Sequence, residues 1–159
     1  MPADVRLRAI ADADLPTLFE QQLDPAANHM AAFTHPDPAD RAAFDAHWAK
    51  IHADPTVTQM TILADGAVAG WVGSYGPPDE PEVTYWLGRE FWGRGLATQA
   101  LRQFLAIQTQ RPIYARAAQD NLGSVRVLEK CGFQHLGVER GFANARGAEI
   151  EEVRLVLHS

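Results

Sequence analysis

The sequence predicts an α+β fold, an α/β/α sandwich around a mixed, mostly antiparallel twisted sheet of about seven strands with about four helices. Three observations predict it. Two apolar runs, Val57 to Ala64 and Ala67 to Tyr75, flank Asp65-Gly66, a pair that marks a tight hairpin and hence antiparallel neighbours. Val83 to Leu87 is β-branched, aromatic or apolar, as a largely buried strand requires. It gives way to a glycine turn, a helical period from Ala97 and a short apolar run, Ile113 to Ala117. Strand, helix and strand in that order form a right-handed crossover with parallel strands. Phe133 to Arg140 and Ile150 to Leu157 then close the chain as two more strands.

Each element has its own warrant. Val5 to Ile10 alternates apolar and basic residues and reads as the first strand. Asp12 or Asp14 can cap a helix to about Leu23, with Leu15, Leu18, Phe19 and Leu23 inward. Asp24 to Pro38 holds Pro25, Pro36 and Pro38 and is expected to be irregular. Asp40 to His52 is a second amphipathic helix, with Phe44, Trp48 and Ile51 on one face. Gly76 to Pro81 is a loop. The helix from Ala97 carries Leu101, Phe104 and Leu105 inward and Gln99, Arg102 and Gln103 outward, and Arg111-Pro112 ends it. Asn121 to Cys131 is a short helix that Asp120 or Asn121 can cap and Gly132 can end as a C′ glycine. Gly141 to Gly147 connects the last two strands. No internal repeat, low-complexity tract or linker divides the chain, so residues 1–159 are expected to form a single domain.

Composition narrows the function classes. The chain is 47% hydrophobic and 21% charged, ordinary for a globular domain. A net charge of −6 argues against a nucleic-acid binder that relies on a broad basic surface and suits a cationic partner. No run is apolar enough to span a membrane and no leader is evident, so a cytoplasmic protein with no membrane partner is expected. The single cysteine, Cys131, excludes an internal disulfide and reads as a small buried hydrophobe. His47 and His52 are five apart on a helix and no His-Glu-x-x-His occurs, so no metal site is expected. His29 and His35 lie in the stretch between the first two helices and are weaker candidates for acceptor contacts.

The chemistry concentrates in two stretches. Gly93-Arg94-Gly95 feeds a helix whose first N–H groups are left unpaired and converge on one spot, which suits a phosphate. It is not a P-loop, since no Gly-x-x-x-x-Gly-Lys-Ser/Thr exists. It is not a dinucleotide fingerprint either, because Thr98 stands where that pattern needs Gly or Ala, and Ile113 to Arg116 holds no acidic ribose ligand. On the glycine pair alone, a helix terminus that binds nothing is an equal reading. The second stretch is Asn121-Leu-Gly-Ser-Val-Arg-Val-Leu-Glu-Lys-Cys-Gly-Phe133.

Together these stretches resemble the GNAT N-acetyltransferases, which bind acetyl-CoA. The nearest likeness is the branch that acetylates ribosomal-protein N-termini, with its uncharacterised relatives. The family loop Gln/Arg-x-x-Gly-x-Gly/Ala maps onto Trp92-Gly93-Arg94-Gly95-Leu96-Ala97, with Trp92 in place of Gln or Arg. The Asn-x-x-Ser/Ala…Glu-Lys-x-Gly-Phe pattern matches from Asn121 to Phe133. The likeness is good from Val57 onward and loose before it, where the first two helices would border the acceptor.

The resemblance implies a GNAT fold with parallel strands four and five splayed apart. Pantetheine would pair with the backbone of Tyr85, Trp86 and Leu87, and the N–H near Leu87 would face the thioester oxygen. The N–H groups of Trp92, Gly93, Arg94, Gly95, Leu96, Ala97 and Thr98 would cradle the pyrophosphate, with Arg94 either adding charge or simply solvated. Asn121 would bond the pantetheine arm, as well as or instead of capping its helix. Many members place an acid tyrosine seven residues after this Asn. Here Leu128 stands there, and Ser124 is the substitute, unless it is only a first-turn helix serine. Glu82 would be the general base, unless it is a solvated edge glutamate. The implied activity is acetyl transfer from acetyl-CoA to a primary amine, a peptide N-terminus or a small molecule, by direct attack and without a metal. A homodimer is a further expectation. The missing tyrosine motivates the alternative of a non-catalytic acyl-CoA sensor. An interaction module with a vestigial cleft ranks below both.

Overall fold

The computed structural model describes residues 3–159. Its seven strands form one sheet in the order β1-β2-β3-β4-β5-β7-β6. In chain order the elements are β1 (Val5–Ala9), α1 (Leu15–Gln22), α2 (Pro25–Ala31), α3 (Arg41–Ala53), β2 (Thr58–Ala64), β3 (Ala67–Tyr75), β4 (Glu82–Leu87), α4 (Leu96–Ile107), β5 (Ile113–Ala118), α5 (Leu122–Lys130), β6 (Gln134–Ala143) and β7 (Ala148–Leu157). Short 3-10 turns cover Asp12–Asp14 and Arg89–Phe91. Every pairing is antiparallel except β4 with β5. The α/β/α sandwich and the predicted parallel crossover are therefore present.

The β2–β3 hairpin turns at Asp65 (φ 50°) and Gly66 (φ 83°), the two left-handed residues that a type I′ turn requires. The two faces of the sheet carry separate cores. On one, Leu101 and Phe104 of α4, Leu128 of α5, Val72 of β3 and Leu155 of β7 pack together. On the other, Leu18 of α1 packs with Phe44 and Trp48 of α3 against Val68 and Trp71 of β3. The ring centroids of Trp48 and Trp71 lie 5.7 Å apart, edge to face.

Four expectations are corrected. Pro25 to Ala31 is not irregular. Pro25 occupies the first helical position, where its missing N–H costs nothing, and the Asp24 carboxylate accepts from Ala26 N–H at 3.2 Å. This makes five helices rather than four. The helix α4 stops at Ile107 rather than running to Arg111. The Arg111 guanidinium turns back and donates to the carbonyls of Leu105 (2.9 Å) and Gln108 (2.8 Å), satisfying groups the helix end leaves open. The last two strands are longer than predicted, to Ala143 and from Ala148, so their loop is shorter. Finally, neither Asp12 nor Asp14 caps α1 with its side chain.

Asp14 has a larger task. Its buried carboxylate accepts from both terminal nitrogens of Arg8 at 2.7 Å, from Ala11 N–H at 2.9 Å and from Thr61 Oγ at 2.7 Å. It ties β1, the turn before α1 and β2 together. These donors, Arg8 foremost, hold its pKa down at about 2. A depressed carboxylate stabilises the fold above the unfolded-state value, and that stability drains away as pH falls toward 2. Asp14→Ala removes the acceptor of four hydrogen bonds from three residues and is expected to cost about 2–3 kcal/mol in denaturant unfolding at neutral pH. The deficit should shrink as the pH of the titration is lowered through the acid range.

Candidate active site

Strands β4 and β5 start as neighbours and then part. They share one registered pair, Glu82 with Tyr114, and Tyr114 N–H donates to Pro81 O at 2.9 Å. Beyond Glu82 no further pair closes. Gly88 N–H turns to Ala69 O on β3 at 2.8 Å. Backbone direction alternates along a strand, so the N–H groups of Leu87 and Tyr85 face away from β3, into the gap. Opposite them, β5 presents Ala115, Ala117 and Ala118. Three small side chains leave the gap open where branched ones would fill it.

A cavity of about 710 Å³ occupies one side of this gap, lined by Tyr85 to Leu87, Gly93, Gly95 to Thr98, Asn121 and Ser124. At its end Gly93 and Gly95 both adopt φ of 72°, and a Cβ on either would meet nothing within 4 Å. Glycine is chosen here for backbone conformation, not for crowding. The first intrahelical bond of α4 runs from Gln99 N–H to Gly95 O at 3.2 Å. The N–H groups of Leu96, Ala97 and Thr98 precede it and are the helix's open donors. Trp92 differs from the sequence expectation: its backbone N–H is already given to Arg89 O at 3.1 Å, so it does not join the cradle. Its indole Nε1 donates to Leu87 O at 2.8 Å and so pins the loop to the end of β4. The Arg94 side chain is exposed, with its guanidinium 5.8 Å from the Phe91 ring centroid.

Asn121 makes two bonds at the start of α5. Its Oδ1 accepts from Ser124 N–H at 3.2 Å, and its Nδ2 donates to Met30 O at 3.2 Å. It therefore caps α5 and ties it to the end of α2. Ser124 Oγ lies 2.9 Å from the hydroxyl of Tyr85 across the gap. Leu128, one turn further along, is 2% exposed and belongs to the core.

A second cavity, of about 600 Å³, lies beyond the gap and shares Val83 to Trp86 and Arg116 to Ala118 with the first. Its remaining wall comes from α2, α3 and the chain between them: Phe33, His35, Asp37, Phe44 and His47. Glu82 and Glu152 line it too. The Glu82 carboxylate is largely enclosed and sits 3.2 Å from Arg116 Nε. Burial pushes its pKa up; Arg116 pulls it back and Glu152 adds to the rise. On the rim, the Tyr75 phenol is pushed up to about 12 by burial and by the charge of Glu82. Glu82 is thus neither a free edge glutamate nor an unpaired one.

Sequence reasoning missed three contributors. Arg116 is the only charged residue within Ala115-Arg-Ala-Ala118, a visible signal in a strand of small residues. The hydroxyl of Tyr85 gave none, since the family resemblance implies a role only for its backbone. The third is the pair Phe33 and Asp37 in the wall of the second cavity, a stretch where the sequence singles out only the histidines, His35 of this wall among them.

Residues 4–134 match the acetyltransferase (GNAT) domain model. The chain belongs to the GNAT acetyltransferase family. Among individual GNAT relatives, it is 32% identical over 75 residues to the uncharacterised N-acetyltransferase p20 of Bacillus licheniformis, across 44% of this chain and 42% of that protein. It is 28% identical over 100 residues to YdaF of Bacillus subtilis (strain 168), named as a ribosomal N-acetyltransferase, across 58% of this chain and 55% of that one. The chain thus aligns with about half the length of these curated relatives. The solved structure of RimL, a ribosomal L7/L12 alpha-N-protein acetyltransferase in complex with coenzyme A, superposes with a TM-score of 0.83 at 18% identity, over 97% of this chain and 93% of that one. At that identity the likeness shows the shared GNAT fold.

Among the described residues no group of His, Cys, Asp or Glu is arranged to hold a metal ion, and no helix is long and apolar enough to cross a membrane.

Proposed function

We propose that this GNAT domain is an acetyl-CoA-dependent N-acetyltransferase acting on a primary amine by direct attack in a ternary complex. The observation that carries this reading is that two cavities meet across the β4–β5 gap at Val83 to Trp86. The larger has the open donors of the α4 terminus at one end, as a pyrophosphate needs. The other has carboxylates and aromatic walls, as a cationic amine needs. A thioester lying in the gap would face an amine arriving from the far side.

The chain's own groups supply the steps. Loop and helix N–H groups hold the pyrophosphate, and the gap-facing N–H groups of Tyr85 and Leu87 align the pantetheine as an added strand. The Leu87 N–H is placed to polarise the carbonyl. Glu82, whose pKa burial raises and Arg116 pulls back, takes the amine proton directly or through water. The acceptor is a peptide N-terminus or a small-molecule amine. RimL acts on a protein N-terminus, which makes peptides the first acceptors to test.

A free-thiol assay with acetyl-CoA against short peptides and simple amines tests this. Initial velocities should give intersecting double-reciprocal lines. Parallel lines would replace direct attack with a covalent acetyl-enzyme. Binding of acetyl-CoA with no turnover would favour the sensor reading, for which the buried Leu128 is the motivating observation.

A further inference from the structure

Leu128 removes the acid tyrosine from α5, and β4 supplies another tyrosine in its place. Tyr85 reaches across the gap to Ser124, with 2.9 Å between the two hydroxyl oxygens. Ser124 lines only the cavity assigned to acetyl-CoA, while Tyr85 lines both. Two hydroxyls that share one hydrogen bond leave one O–H free. A phenol is more acidic than an aliphatic alcohol, so Tyr85 is the better donor and Ser124 Oγ the better acceptor. The free O–H is then that of Ser124, and it is available to the gap.

We infer that Tyr85 is a positioning residue whose phenol donates to Ser124 Oγ and so aims the Ser124 hydroxyl at the sulfur of the departing thiolate. This rests on the acetyl transfer proposed above. The amine nitrogen forms its bond to the acetyl carbon as the carbon–sulfur bond breaks. The electron pair of that bond goes to sulfur and the amine proton goes to Glu82. The thiolate leaves hydrogen-bonded to Ser124 and takes a proton from solvent on release. Tyr85 keeps its proton throughout. Burial raises its pKa, which keeps the phenol a donor across the working range. The Asn121 bond to Ser124 N–H fixes the other side of the serine.

The test compares wild type, Tyr85→Phe, Ser124→Ala and the double variant with acetyl-CoA and with its selenoester analogue. A selenolate leaves without help, so the analogue does not need the serine. Tyr85→Phe is expected to lower kcat with acetyl-CoA by about tenfold, with KM for acetyl-CoA within about twofold. With the selenoester the defect should vanish. The double variant should be no slower than Ser124→Ala, since Tyr85 acts through that serine. A Tyr85→Phe enzyme equal to wild type with acetyl-CoA overturns the inference and leaves acetyl transfer standing. So does an equal loss with both donors, which marks a structural role. A wild-type chain that turns over neither donor overturns the proposed function, and this inference with it.

Discussion

Glu82→Gln is expected to lower kcat/KM for acetyl transfer by about 100-fold, with little change in acetyl-CoA affinity. The glutamine keeps the size of the side chain and can still accept from Arg116, so the wall of the acceptor cavity stays in place. What it loses is the ability to take a proton. The pH profile carries the sharper signature. In the proposed mechanism Glu82 works as the carboxylate, so activity is expected above its pKa and should be lost as pH falls through it. Burial raises that pKa against the opposing pull of Arg116, which puts the acid limb of kcat/KM above the ordinary carboxylate range. The variant should show a lower plateau with that limb gone. A variant that kept the wild-type acid limb would assign it to another group, and Glu152 would be the first to examine.

Much of this site was legible from the sequence because its parts are local. A glycine turn, an N-cap asparagine and a C′ glycine are backbone devices written in consecutive residues. Gly95, Asn121 and Gly132 stand where the sequence placed them. The hairpin at Asp65-Gly66 is of the same kind. Less was legible wherever a side chain finds its partner through the fold. Glu82 meets Arg116 only because two parallel strands bring them side by side. Tyr85 meets Ser124 only because α5 lies across a gap. Asp14 is the clearest miss: its position before a helix suggests a cap, yet Arg8 and Thr61 claim its carboxylate. The helix at Pro25 was readable, since Asp-Pro is a strong helix start, but three prolines in one stretch outweighed it.

The second large effect is expected at Gly95. Its φ of 72° and ψ of 9° lie in the left-handed region. A β-branched residue there costs about 1–2 kcal/mol in backbone strain. Space is not the difficulty, since a Cβ at this position meets nothing within 4 Å. Gly95→Val should therefore fold, while the loop relaxes out of the conformation that aims the N–H groups of Leu96, Ala97 and Thr98 at one point. With the pyrophosphate bound by those groups, as proposed, the dissociation constant for acetyl-CoA should rise at least about tenfold. The rate at saturating acetyl-CoA should change much less. That split is the reverse of the one expected for Glu82→Gln, so the pair separates the binding end of the gap from its chemical end.

The claim on which the rest depends is that the gap between β4 and β5 is the acetyl-CoA site. Calorimetric titration of acetyl-CoA into wild type and Gly95→Val, side by side, tests it most directly. One acetyl-CoA is expected per wild-type chain, with clearly weaker binding to a folded variant. Absence of binding to wild type, or equal binding to both, would contradict it.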